Sequence, residues 1–187
     1  MSHIHDKIDF VSTALIVHRD KVLLVHHRIL NMWLPVGGHI ELDEDPIDAL
    51  YREIKEEAGI DKNDLEIMSD KPNLKGTRHK FLLTPNYLDI HNFSDTHKHV
   101  SLSYLVKSKT DKLIHNDREH IGIKLFTKQE IESGKYELLP QIKFLALEAL
   151  KKLSSSSSLV KLAYFCLFLL LITRTETTKT VKTLSKA

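Results

Sequence analysis

Apolar residues along the chain follow two different periods. Val11–His18 and Val22–His26 are dense apolar runs split by Arg19-Asp20-Lys21, which predicts a β-hairpin. Leu65–Met68, Lys80–Leu83, Val100–Val106 and Ile121–Phe126 read as further strands, with Tyr87–Ile90 as an extension of the second. Met32–His39 contains Pro35 and the adjacent Gly37 and Gly38, a composition that predicts a sharp turn with exposed backbone. Thr127–Gly134 reads as a turn as well. Two stretches have helical spacing instead. Asp45 and Pro46 predict an N-cap and a first helical residue, and Gly59 predicts the stop. Pro140–Leu153 repeats apolar residues at Ile142, Leu145, Ala146, Ala149, Leu150 and Leu153. Strands mixed with two well-separated helices predict an α/β/α layered domain.

The first helix carries the candidate chemistry. At about 100° per residue, Ile47, Leu50, Tyr51, Ile54 and Ala58 share a face suited to packing on a sheet. Glu53, Glu56 and Glu57, spaced i, i+3 and i+4, gather on a different face and repel one another. Arg52 is one cation against three anions. A hard divalent cation offsets the repulsion better, because Mg²⁺ takes oxygen ligands and shares its coordination with substrate phosphates. A Glu-rich helix taken alone reads more simply as a solvated surface.

The surroundings of those glutamates change that reading. Gly38, five residues, Glu44, seven residues, Arg52-Glu53-Ile54, any residue, Glu56-Glu57, any residue, Gly59-Ile60 fixes nine positions over 23 residues. This resembles the complete signature box of the Nudix hydrolases, and Trp33–Gly38 resembles the family's lead-in, with Val36 where Gly is more usual. The resemblance implies an α/β/α sandwich around a mixed β-sheet. It implies Mg²⁺-dependent hydrolysis, with Mn²⁺ able to substitute, of a diphosphate linkage in a nucleoside diphosphate derivative. By position, Glu53, Glu56 and Glu57 are the implied metal ligands, with a backbone carbonyl of Gly37 or Gly38 as an extra one. Arg52 is expected to orient a glutamate, and Glu44 to sit beside the metals. The general base is either a box glutamate or a later loop glutamate, for which Glu119 in Asn116–His120 stands at the matching place. Gly37, Gly38 and Arg28 are expected to approach the substrate, as are His26 and His27 beside Arg28. A rival reading is a catalytically silent binding module of the same fold. Such modules lack box glutamates, and Glu44, Arg52, Glu53, Glu56 and Glu57 are all present here. An NTP, a nucleotide sugar and a dinucleotide all remain open as substrate.

Composition adds limits. A net charge of +2 predicts neither nucleic acid nor a membrane as partner of the body, and the seven Lys/Arg after Leu150 account for much of the basic balance. The single cysteine, Cys166, rules out an internal disulfide, and the polar start lacks the apolar core of a signal peptide, so a cytoplasmic location is the default expectation. Five serines over Ser154–Ser158 read as a linker, which sets residues 1–153 apart as a domain that folds alone. Beyond it, the uninterrupted apolar run Leu162–Ile172 has eleven residues, where a spanning helix needs about 20. Residues 159–172 therefore read as an interfacial or partner-docking helix, a helix packed on the domain, or an appendage. His97 and His99 share a strand face and could touch phosphate or a metal. With twelve histidines in the chain, they are read as ordinary strand residues.

Overall fold

The computed structural model describes residues 5–73, 76 and 78–154. The chain divides into two compact units, Met1–Ser154 and Ser155–Ala187. The serine run from residue 155 and the apolar run at 159–172 lie outside the described residues. No helix among the described residues is long and apolar enough to cross a membrane.

Among the described residues, eight strands form one mixed sheet. Its backbone is the parallel pair β1 (Ile8–His18) and β7 (Lys98–Ser108), in register from Ile8 opposite Lys98 to Val17 opposite Lys107. All other pairings are antiparallel. β1 turns into β2 (Lys21–His27) through the hairpin its apolar runs predict, with Val17 opposite Val22. The other edge of β7 is shared by β5 (Leu65–Ile67) and β6 (Tyr87–Asn92), and β8 (His120–Thr127) runs along β2.

Three segments depart from the sequence reading. Met32–His39 is not a turn but two short strands, β3 (Met32–Leu34) on β2 and β4 (Val36–His39) on β1, with Pro35 between them. Glycines adjacent in sequence suggested a bend. Here their missing side chains let β4 lie flat against β1, since a Cβ on Gly37 would stand 2.3 Å from the Ser12 carbonyl oxygen. Lys80–Leu83 is not a strand, and Tyr87–Asn92 is a strand in its own right. Pro85 breaks the run, and the Asn86 side chain takes the Leu105 backbone N–H at 2.7 Å, where a neighbouring strand would otherwise pair. Thr127–Gly134 contains a short helix, α2 (Lys128–Glu132). Thr127 and Glu130 close it with a reciprocal capping box that the turn reading overlooked.

With α2, the described residues hold three α-helices. α1 (Pro46–Ala58) starts where predicted: the Asp45 side chain accepts from the N–H groups of Ile47 at 2.8 Å and Asp48 at 3.1 Å. Such a cap is worth about 1 kcal/mol. It stops at Gly59, in the left-handed conformation at φ 71°. The Ser12 hydroxyl donates to the Pro46 carbonyl at 2.7 Å and ties the helix start to β1. α3 (Pro140–Leu153) spans the predicted residues.

The two long helices cover opposite faces of the sheet. Leu50, Ile54 and Ala58 of α1 bury against Ala14, Ile16, Leu23, Val25 and Val106. Ala146, Ala149 and Leu150 of α3 bury against Leu15, Val17, Leu24 and Leu105. Alternate residues of β1 thus feed alternate cores, as the period of a strand requires.

Candidate active site

Two of the three glutamates of α1 do not face solvent. Glu53 and Glu57 are buried at 9% and 3% exposure, and only Glu56 stands half in water. The helix face they occupy lies under β4, and the pair of glycines makes room for it. A Cβ on Gly38 would meet the Glu53 Oε1 atom at 2.2 Å, and the Gly37 N–H donates to Glu57 Oε2 at 3.2 Å. The sequence reading placed the three carboxylates on one helix face, away from Leu50 and Ile54. It did not foresee that a strand would close over two of them.

Arg52 organises the patch. It donates from Nε and Nη2 to both oxygens of Glu44, from Nη1 to Glu53 Oε1 at 2.7 Å and Glu56 Oε2 at 3.4 Å, and from Nη2 to the His39 carbonyl at 3.0 Å. The two-pronged grip on Glu44 uses the planar fork of the guanidinium. Those bonds hold the Glu44 carboxyl below its ordinary value. Glu44 therefore stands behind Arg52, and it is not among the residues lining the cleft described below.

Burial sets the charge state of the other carboxyls. Desolvation pushes Glu53 up to about 7, with Arg52 pulling the other way and Glu57 adding to the rise. Glu57 is also raised, first by burial, against the pull of His120, whose Nε2 lies 3.4 Å from Glu57 Oε1. Two buried carboxyls this close resist ionising together unless a cation joins them. The donor set suits a hard divalent ion, being all carboxylate oxygen with the backbone of Gly38 alongside. Glu57, Glu119 and His120 also offer ligand atoms within 4.8 Å of one another.

A cleft of about 410 Å³ opens on this patch. Gly38, Arg52, Glu53, Glu56 and Glu119 line it, so the loop glutamate and the helix glutamates share one space despite more than sixty intervening residues. Glu57 lies behind this lining, and so does Gly37. Arg28 is not in the lining either: its guanidinium donates to the carbonyls of Asp117 at 2.7 Å and His120 at 3.3 Å, and so braces the 116–120 loop. Its neighbour His27 does face the cleft. The Nδ1 of His27 accepts the Leu30 N–H at 3.1 Å, and burial followed by His120 lowers the ring's pKa. A neutral ring with that bond keeps its proton on Nε2, a donor ready for a phosphate oxygen. Arg118 also lines the cleft and was not singled out from the sequence, although it adjoins Glu119. Trp33 packs on His26, Phe126 and Tyr136 instead of offering a free face.

A NUDIX domain model matches residues 9–147. The chain belongs to the Nudix family. Among curated relatives, the m7GpppN-mRNA hydrolase NUDT17 of Danio rerio is 51% identical over 39 residues, which cover 21% of this chain and 13% of that protein. An RNA pyrophosphohydrolase of Pseudomonas putida is 37% identical over 60 residues, covering 31% of this chain and 38% of that protein. These similarities thus span well under half the length of the relatives. Among solved structures, a NUDIX-family hydrolase from Clostridium perfringens aligns with a TM-score of 0.65 and 27% identity, covering 76% of this chain and 96% of that one. A C. elegans Ap4A hydrolase binary complex aligns with a TM-score of 0.56 and 20% identity over 75% of this chain and 93% of that one, a likeness of fold alone.

Proposed function

We propose that this Nudix protein hydrolyses a phosphoanhydride bond in a nucleoside diphosphate derivative, with Mg²⁺ held by Glu53, Glu56 and Glu57 and the backbone of Gly38. The observation that carries this reading is the burial of both Glu53 and Glu57 beneath the glycines of β4, with Glu53 in the lining of an open cleft and Glu57 behind it. A silent binding module has no need to bury two neighbouring carboxyls. A bound Mg²⁺ supplies neutralisation and orientation of the phosphate oxygens and makes water more acidic.

The chain's own groups then divide the work. Arg52 keeps Glu53 in place and is itself locked by Glu44. His27 Nε2 and Arg118 line the cleft as donors for substrate phosphate oxygens. Glu119 faces the same space and takes the proton of the attacking water as general base. The water oxygen bonds to phosphorus, and the bridging P–O bond breaks with its electron pair leaving on the departing phosphate. The relatives named as pyrophosphohydrolases, of RNA and of DHNTP, support the bond type; neither name chooses the substrate here.

The test is a panel of NTPs, nucleotide sugars, dinucleoside polyphosphates and 5′-triphosphorylated RNA, assayed with Mg²⁺ and with Mn²⁺. One class should turn over with release of phosphate or pyrophosphate, and Glu119→Gln should reduce that turnover by roughly 100-fold or more while KM changes little. Binding of a nucleotide without turnover of any panel member would favour the silent module. Unchanged turnover in Glu119→Gln would return the proton to a box glutamate.

A further inference from the structure

A second cluster of ligand-type side chains lies across the sheet from the glutamates. Strand alternation separates the two. Gly38 faces Glu53, so the side chain of the next residue, His39, points to the opposite face, while His39 also borders the cleft and its carbonyl accepts from Arg52. Asp9 shares a face of β1 with Leu15 and Val17, and His99 shares a face of β7 with Leu105, with His97 just before that strand; these apolar residues pack with α3. The register brings the three strands together, with Asp9 opposite His99 and Val11 opposite His39.

At that end of the sheet the Asp9 carboxylate is fully buried, and its Oδ2 lies 3.2 Å from Nε2 of His39 and 3.2 Å from Nε2 of His97. His97 and His99 are buried at 4% and 6% exposure. The His99 ring stands edge-on to His39 and His97, at centroid distances of 5.0 and 5.4 Å. Asp9, His39 and His99 each offer a ligand atom within 4.8 Å of the others. Phe93 stacks on His99 at 4.7 Å and walls the cluster on one side.

We propose that Asp9, His39 and His99 bind one divalent transition ion of the zinc class on the face of β4 opposite Glu53, with His97 braced against the Asp9 carboxylate. Zinc takes imidazole nitrogen at about 2.0–2.1 Å and carboxylate oxygen at about 2.0–2.2 Å, so neighbouring ligand atoms in a tetrahedron stand roughly 3.3 Å apart. The 3.2 Å separation of Asp9 Oδ2 from His39 Nε2 matches that edge. Two imidazoles and one carboxylate select a transition ion over Mg²⁺, which takes oxygen donors. The Asp9 Oδ1 atom accepts the His5 N–H at 2.7 Å, the kind of outer bond that orients a ligating carboxylate. The inference does not depend on the proposed hydrolysis.

The experiment uses the full chain and its Glu53→Gln/Glu57→Gln variant, each stripped with chelator, reloaded with Zn²⁺ or Co²⁺ and dialysed. The variant should retain one equivalent of Zn²⁺. Its X-ray absorption should show imidazole scattering, and its Co²⁺ form should show the intense visible bands of four-coordinate cobalt. Asp9→Asn and His99→Ala should each weaken Zn²⁺ binding at least 10-fold, and circular dichroism reports whether each still folds. The spectra of the glutamate variant stand even if a cluster variant does not fold. The proposal is overturned if the glutamate variant holds no Zn²⁺, if its zinc has oxygen ligands only, or if folded Asp9→Asn binds as tightly as the parent. In those cases the cluster is a carboxylate–imidazole hydrogen-bond network.

Discussion

The glutamate cleft and the histidine cluster are built a residue apart on β4, yet they are opposites in chemistry. On one face Gly38 leaves space for Glu53, and an arginine holds three acidic side chains. On the other face His39 joins a single buried carboxylate to a group of imidazoles. The first region bunches negative charge and leaves it half-neutralised beside an open cleft. The second encloses one buried carboxyl among imidazole rings. The contrast shows how a short strand, by alternation alone, can keep two polar sites of different ligand preference from mixing.

Metal removal should separate the two most strongly. With EDTA, turnover on the panel substrate should vanish, and excess Mg²⁺ should restore it, while Mg²⁺ should leave the imidazole nitrogen signals of His39, His97 and His99 unmoved in NMR spectra. Full turnover in chelator would remove the ion from the glutamate side altogether.

Glu57→Gln comes next. Turnover under saturating Mg²⁺ should fall at least about 100-fold, in line with several kcal/mol of lost transition-state stabilisation. In the metal-free protein the amide keeps the shape and removes a buried charge that desolvation disfavours, so the melting temperature should hold or rise. A collapsed melt together with normal turnover of the surviving folded fraction would make Glu57 a structural residue.

Gly38→Ala tests the space between β4 and α1. The new Cβ falls on Glu53 Oε1, whose carboxylate is held by Arg52 and has little room to retreat. Displacing that carboxylate by about an ångström should cost roughly 10- to 100-fold in turnover, with circular dichroism unchanged. Turnover at the parent rate would mean that Glu53 need not sit where it does.

The smallest effects are in the pH dependence of stability, and here the two regions have opposite sign. Glu53 is raised from 4.5 to about 7, so the native state keeps a proton that the unfolded chain has lost. Its contribution is fully present below about 4.5 and is lost as pH rises through about 7, at up to about 1.4 kcal/mol per pH unit. His99 is lowered from 6.5 to about 4, so the unfolded chain binds the extra proton and stability grows as pH rises across that window. Urea unfolding of metal-free protein between about pH 4 and about pH 8 should show Glu53→Gln removing a fall and His99→Gln removing a rise. Identical profiles for parent and Glu53→Gln would show that Glu53 is not held protonated by burial.

Local signals determined much of this protein. The hairpin of β1 and β2, both ends of α1, the span of α3 and the spacing of Glu53, Glu56 and Glu57 were legible because each depends on neighbours within about one helical turn or one strand period. So was the family, since its signature is a continuous stretch from Gly38 to Ile60. Tertiary structure decided what those residues face. Gly37 and Gly38 read as a bend until β1 was there for β4 to lie against. Arg28 and His27 looked equivalent until the 116–120 loop engaged the arginine and left the histidine to the cleft. Asp9, His39 and the His97/His99 pair lie far apart in the chain, and no periodicity links the three segments. They meet because β7 pairs in parallel with β1 while β4 pairs antiparallel, and strand register is a long-range choice.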